Sequence, residues 1–294
     1  MSTRAREYLA TTTLSGTRWR WALGALKALA IYLLLVALAA LFLLPFYWML
    51  ATAFKPQALV YRFPPDWFAG DLTLENFRVG WNSLPFARIY LNTVFVTAVT
   101  VFGTVFSSSL VGFGFARYRA RGATVLFVVV LATMMVPTST TLIPRFILFS
   151  KLGWIDSYLP LLVPTFFGNA FFIFLFRQFF RSIPQDYFDA AEVEGASPWA
   201  LYWRIAVPLS KPVFVAAGLF AALTAWNDFL DPLVFLNTVD KFTLQLALSS
   251  FKSENVTALH LMMPMALLAM LPALLLVAIG QRWISRSLAF EVEK

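Results

Sequence analysis

The chain of 294 residues is 60% hydrophobic and only 13% charged, with a formal net charge of +8; a soluble domain holds nearly twice that charged share, so one lipid-solvated helical bundle is expected instead of two soluble domains. The absence of cysteine excludes disulfides, thiol catalysis and thiolate-held metals, and a single histidine, His260, counts against an imidazole-held metal or a histidine triad. None of the 13 glycines precedes a lysine, so the phosphate-cradling G-x-x-x-x-G-K-[ST] loop is missing and any ATP that drives this protein binds to a separate subunit.

Charge-free runs of about 20 residues, the length that crosses the hydrocarbon core at about 1.5 Å per residue, predict the spans in order. Ala28–Phe54 lies between Lys27 and Lys55, and Ile89–Ala116 between Arg88 and Arg117. Gly122–Pro144 lies between Arg121 and Arg145, and Ser157–Phe176 between Asp156 and Arg177. Pro212–Asn227 is shorter and runs into Asp228; Leu261–Gln281 lies between His260 and Arg282. The fold class is therefore all-α, with six transmembrane helices. The first run is too long for a signal peptide and has no small-residue cleavage site.

Six spans put both termini on one side. With the N-terminus inside, internal segments carry 15 of the 23 lysines and arginines and external segments 8, while the acids divide 7 inside and 8 outside. The whole positive excess then falls on the cytoplasmic face, which is membrane topology and not nucleic-acid binding. The expected organisation is an internal segment over 1–27, a membrane domain over 28–283 and an internal tail over 284–294. Its external loop, 55–88, holds Pro56, Pro64, Pro65, Pro85, Trp67 and Trp81 and reads as folded. Its internal loop, 181–211, carries the densest local signals.

Within that loop Pro184 suits the first turn of a helix. Asp186, Asp189 and Glu192 then recur every three residues near one face, with Tyr187, Ala190, Ala191 and Glu194 on the rest. Gly195 is a helix stop, because glycine enters the left-handed conformation freely. Ser197-Pro198 reads as an N-cap with proline at the first helical position, opening a second helix through Trp199–Ile205 that lasts until Pro208. Helix signals alone fit a plain interfacial helix equally well. A rigid projection onto a partner would use the small Ala190–Ala191 pair for close approach and the acids for basic partner residues.

The spacing Asp189-Ala190-Ala191, three residues, Gly195, nine residues, Ile205, one residue, Val207-Pro208 resembles the EAA motif (E-A-A-x3-G-x9-I-x-L-P) of ABC importer permeases. Two conservative departures are Asp for Glu and Val for Leu. The resemblance covers roughly residues 45–283 and is greatest to the smaller membrane subunit of maltose-transporter-type carbohydrate permeases. Supporting pieces are Asn92-Thr93, Arg117 after Gly-Phe-Gly-Phe-Ala, Arg177-Gln178-Phe179-Phe180, Lys211-Pro212, Trp226-Asn227-Asp228-Phe229 and Lys241-Phe242-Thr243-Leu244. The tail Ser285–Phe290 departs, having no glycine. The resemblance implies a type I permease fold in a bacterial cytoplasmic (inner) membrane and alternating access. It implies pairing with a second homologous permease, two ATPase subunits that bind ATP and Mg, and an external solute-binding protein. The coupling residues it implies are Asp189, Ala190, Ala191, Glu192, Glu194, Gly195, Ile205 and Pro208. This chain itself would hold no cofactor or metal and catalyse nothing. The implied solute is a sugar or sugar-like polyol phosphate.

For the solute pathway the candidates are Asn169 in the fourth span and Trp226, Asn227 and Asp228 at the outer end of the fifth. An aromatic ring beside amide and carboxylate groups suits a polyhydroxylated solute. A solvated helix end with an interfacial tryptophan is the plainer reading. Pro137, Pro264 and Pro272 are expected to kink their spans, and Arg117, Arg119 and Arg121 to set topology. The competing class is an ion-coupled secondary transporter, but its hallmark of mid-span ionisable residues is nearly absent here. An ABC permease for a non-sugar solute is the other alternative.

Overall fold

A computed structural model describes residues 3–67, 70–252 and 258–292, with side chains over 24–67, 70–252 and 258–281. Four helices are long and apolar enough to cross a bilayer, and two bent helix pairs bring the number to six if each counts as one span. The first helix, Thr3–Phe54, begins well inside the expected internal segment. Its stretch Gly24–Phe54 is apolar around nearly the whole circumference, and none of the most hydrophobic part is buried. A helix without a polar face is solvated by lipid or by other apolar helices. It packs along the last helix, Leu259–Val292, which continues through Pro264 and Pro272.

The second span, Phe86–Arg117, is the hub, packing most extensively on the fourth and fifth. Small residues make that possible. A Cβ at Gly112 would sit 2.8 Å from Phe176 Cβ, and one at Gly103 would sit 2.4 Å from Thr165 Oγ1. Fully or nearly buried Ser107 and Ser108 lie between them. Close approach through small residues is how membrane helices gain packing that lipid cannot offer.

The third and fourth spans are not single continuous helices. Ala123–Met135 and Thr138–Lys151 meet at 96°. Pro137 lacks an N–H and pushes Val136 to extended backbone (ψ 116°), so the helix must restart. The bend carries Arg145, expected in an external loop, into part-buried surroundings. The fourth span is a short helix Leu159–Leu162, a 3-10 segment Val163–Phe167, and a helix Ala170–Ser182 that runs past the expected end at Phe176. Gly168 (φ 83°) separates them. Non-helical backbone at membrane depth is tolerated where it lines a cavity or is buried in protein.

Residues 55–88, expected as an external loop, are folded. Asn76, 5% exposed, donates from Nδ2 to Ala53 O at 3.0 Å and Lys55 O at 2.7 Å, closing the end of the first helix. Lys55 is buried, lies 4.8 Å from the Trp48 ring and donates to Asp66 O. Helix Glu75–Ser83 leans on the last span, where Gly80 leaves room for Met265.

Candidate functional site

The loop over 181–211 forms helix, glycine turn, helix. The first helix is Asp186–Val193, starting two residues beyond Pro184. At its end Gly195 N–H donates to Glu192 O at 3.0 Å and Ala196 N–H to Ala191 O at 2.9 Å. These are the two bonds of a Schellman motif, and they require a left-handed residue between them. Gly195 has φ 85°. Ser197 Oγ then accepts from Ala200 N–H at 3.3 Å, with Pro198 in the first turn of the second helix. That helix does not stop at Pro208 but runs Pro198–Leu209 and meets the fifth span, Lys211–Trp226, at 81°. A π-helical stretch, Leu201–Ala206, widens the turns ahead of Pro208, whose ring would otherwise collide with the carbonyl four residues back.

One side of this projection is fixed to the bundle. Phe188, Leu201, Tyr202 and Ala206 are buried with Phe113, Phe176 and Phe180, and Tyr202 OH lies 2.7 Å from Ser109 Oγ. The other side is bare: Val193 is 90% exposed, Tyr187 57% and Trp199 56%. Ala190 is exposed, Ala191 and Ile205 are half-buried, and Pro208 is exposed.

The acids have a partner within the chain. Arg117 closes the second span with its side chain only 9% exposed; its Nη2 donates to Asp189 Oδ1 at 3.1 Å and Glu192 Oε1 at 2.9 Å. The guanidinium also lies 5.0 Å from the Phe188 ring. Asp189 further accepts from Gln185 Nε2 at 3.0 Å. Asp189 and Glu192 thus tie the projection to the second span instead of standing free. Glu194 is exposed and makes no ion pair among the described residues. Arg117 has a local role beyond setting topology. The three-residue spacing of the acids gave their shared face, but a cation 72 positions away in sequence from Asp189 carries no local signal.

Of the pathway candidates, the structure brings Asn169 and Asp228 to one cavity of about 520 Å³, shared with Thr104, Arg145, Thr224 and Asp231. Asn169 caps the inner half of the broken span, its Oδ1 accepting from Phe171 N–H at 3.0 Å. Trp226 does not line this cavity. It is 4% exposed and donates from Nε1 to Ala269 O at 3.0 Å, so its ring joins the fifth span to the sixth. Asn227 donates to Leu223 O at 2.8 Å at the helix end. Sequence reading missed the ion pair in the cavity wall: Arg145 grips Asp231 in bidentate fashion at 3.1 and 2.6 Å.

At the other end of the bundle, Asn92, Thr93 and Lys241 from the motif fragments join separate segments. Thr93 Oγ1 accepts from Leu244 N–H at 2.9 Å, and Asn92 Nδ2 donates to Asp240 O at 2.8 Å and Phe242 O at 3.1 Å. Asp156 accepts from Thr238 Oγ1 at 2.7 Å, Thr238 N–H at 2.9 Å, Asn237 N–H at 3.0 Å and Lys241 Nζ at 2.9 Å. The Thr238 hydroxyl first, then these amides and the lysine, hold its carboxyl well below the usual carboxylate range. A depressed carboxylate contributes fully above its unfolded pKa of about 3.9 and loses that contribution as pH falls through its folded value. Amide exchange at Asn237 and Thr238, corrected for intrinsic rate, should therefore be constant from pH 8 to pH 5. Asp156→Ala should accelerate it several-fold throughout, whereas a loss of protection already at pH 6 in the unaltered chain would contradict the assignment.

Residues 108–290, more than half of the chain, match the family described as binding-protein-dependent transport system inner membrane component. The arabinooligosaccharides transport system permease protein AraQ of Bacillus subtilis is 31% identical over 259 residues, covering 87% of this chain and 92% of the relative. The lactose transport system permease protein LacG of Rhizobium radiobacter is 30% identical over 85% of this chain and 91% of its own length. The sn-glycerol-3-phosphate transport system permease protein UgpE of Escherichia coli has the same identity and coverage. A solved bacterial ABC transporter involved in the import of the acidic polysaccharide alginate matches with TM-score 0.77 at 22% identity, over 87% of this chain and 96% of that one. At that identity the likeness is one of fold, and it bears out the all-α type I permease arrangement.

Proposed function

The chain belongs to the family of binding-protein-dependent transport system inner membrane components, and from that premise we propose that it forms one half of the translocation path of an ATP-driven importer for a sugar or sugar-like solute. As a family member it is a multi-pass membrane permease that works with another permease, ATPases and a binding protein. In our reading ATP and Mg are held by two ATPase subunits on the cytoplasmic side, and this chain is the non-catalytic conduit. The 184–209 projection receives the ATPase stroke, and the spans rock to open the path outward. The observation that carries this reading is the projection: a Schellman-closed pair of helices, fixed to the bundle on one side and baring Val193, Tyr187 and Trp199 on the other. The sugar class is supported by the names of the oligosaccharide and lactose permeases it is similar to. The uneven distribution of lysine and arginine supports internal termini and an internal projection. In the loop over 237–258, exposed residues 237–240 and Lys252 support docking of the external binding protein, whereas Phe251 stacks on Phe86 in the core, Phe242 packs beside it and Lys241 is held by Asp156; residues 253–257, among them Glu254, lie outside the described residues.

Purification from native membrane tests the reading. ATPase and binding-protein subunits should accompany the chain. In this cysteine-free protein, single cysteines at Ser182 and Asn237 should be labelled from opposite sides. A chain purified without an ATPase, or labelling of both positions from outside, would overturn it.

A further inference from the structure

The cavity between the second, bent third, broken fourth and fifth spans has features of a built polar site. Its inner end is at Thr104, 13 residues before Arg117 on one helix, about 20 Å from the cytoplasmic end of that span. Its volume of about 520 Å³ lies within the usual range for small-molecule sites. Hydroxyl and amide groups dominate its polar lining: Thr100, Thr104, Thr138, Thr165, Thr224 and Asn169. Thr243 also lines it, is 4% exposed, and its Oγ1 has no hydrogen-bond partner among the described residues. A buried hydroxyl left unsatisfied is costly unless something else completes it.

The ionised groups there do not balance. Arg145 gives two N–H groups to Asp231, which balances its charge, and Asp228 adds a second carboxylate that accepts from Asp231 N–H at a long 3.4 Å. Two carboxylates against one guanidinium leave one negative charge in a low-dielectric setting, where a unit charge is felt strongly. An anion entering the cavity meets no free cation and an uncompensated carboxylate. A neutral polyol meets hydroxyl, amide and carboxylate groups that can exchange hydrogen bonds with it.

We propose that this cavity is the place where the solute rests on this subunit, and that the surplus carboxylate of Asp228 makes it selective for neutral polyhydroxylated solutes over phosphorylated or acidic ones. The proposal rests on the importer reading and narrows its substrate class.

The test uses the purified assembly carrying a single cysteine at Thr224 or Thr138 in this otherwise cysteine-free chain. Rates of modification by a cationic and an anionic methanethiosulfonate reagent are each normalised to those of a free small thiol. The expected result is a bias of about tenfold toward the cationic reagent, which Asp228→Asn, leaving the Arg145–Asp231 pair intact, brings close to one. Glucose, lactose or raffinose should slow the modification, and sn-glycerol 3-phosphate at the same concentration should not. Equal or anion-favoured rates would overturn the proposal. So would protection by sn-glycerol 3-phosphate equal to that by the sugars, or protection by none of the three sugars. Loss of the importer reading is a separate result: no ATPase in the purified assembly.

Discussion

Gly195→Val should leave the protein inserted in the membrane and cut solute uptake by about tenfold or more, the equivalent of about 1.4 kcal/mol. The expected effect is purely conformational. A Cβ built on Gly195 meets nothing within 4 Å, so bulk is not the obstacle. The obstacle is φ 85°, where a β-branched residue is a steric outlier. Relief requires breaking the bonds from Gly195 N–H to Glu192 O and from Ala196 N–H to Ala191 O. The two projection helices would then meet at another angle, and Val193, Tyr187 and Trp199 would present a different surface. Gly195→Asn is the control, since asparagine tolerates the left-handed region, and it should retain most uptake. Uptake and membrane abundance are measured together. Normal uptake with valine would mean that the turn geometry does not matter to coupling.

Arg117→Ala should have an effect of similar size through a different link. It removes both charge-assisted bonds that hold the first projection helix to the second span, together with the contact to the Phe188 ring. Asp189 and Glu192 are each about half exposed, so the lost bonds weigh less than buried pairs would, and about 1–3 kcal/mol of docking free energy is expected to go. The spans themselves keep their apolar packing. The expected phenotype is therefore uncoupling: ATPase activity that no longer responds to solute, with uptake reduced about tenfold or more. Arg117→Lys should fall between, because a single ammonium cannot reproduce the fork that meets both carboxylates. Asp189→Asn with Glu192→Gln should add little to Arg117→Ala if all three act through one contact. Full additivity, or solute-responsive ATPase in Arg117→Ala, would remove Arg117 from the coupling path.

What the sequence revealed and what it hid follow from the range of the forces involved. Lipid solvation acts on each run of residues separately, so six spans could be read from charge spacing. The projection was legible for the same reason: a glycine stop, a serine cap and a proline at the first helical turn are decided within a few residues. The long-range pairings were not. Arg145–Asp231 joins residues 86 apart and Asp156–Lys241 residues 85 apart. The bend at Pro137 was expected as a kink but is a 96° break that relocates Arg145. Trp226 shows the limit of motif adjacency. It stands beside Asp228 in sequence, yet its indole faces the sixth span while Asp228 faces the cavity. Both residues were candidates for the solute path on chemistry alone, and only packing separates them.

In the proposed function, ATP acting on the projection drives movement of solute through this chain. Uptake by proteoliposomes containing the purified assembly tests it most directly, using a radiolabelled solute captured by the co-purifying binding protein. The account predicts uptake that requires ATP on the side of residues 184–209 and persists when proton and sodium gradients are collapsed. Uptake that ignores ATP and stops when an ion gradient is collapsed would contradict it.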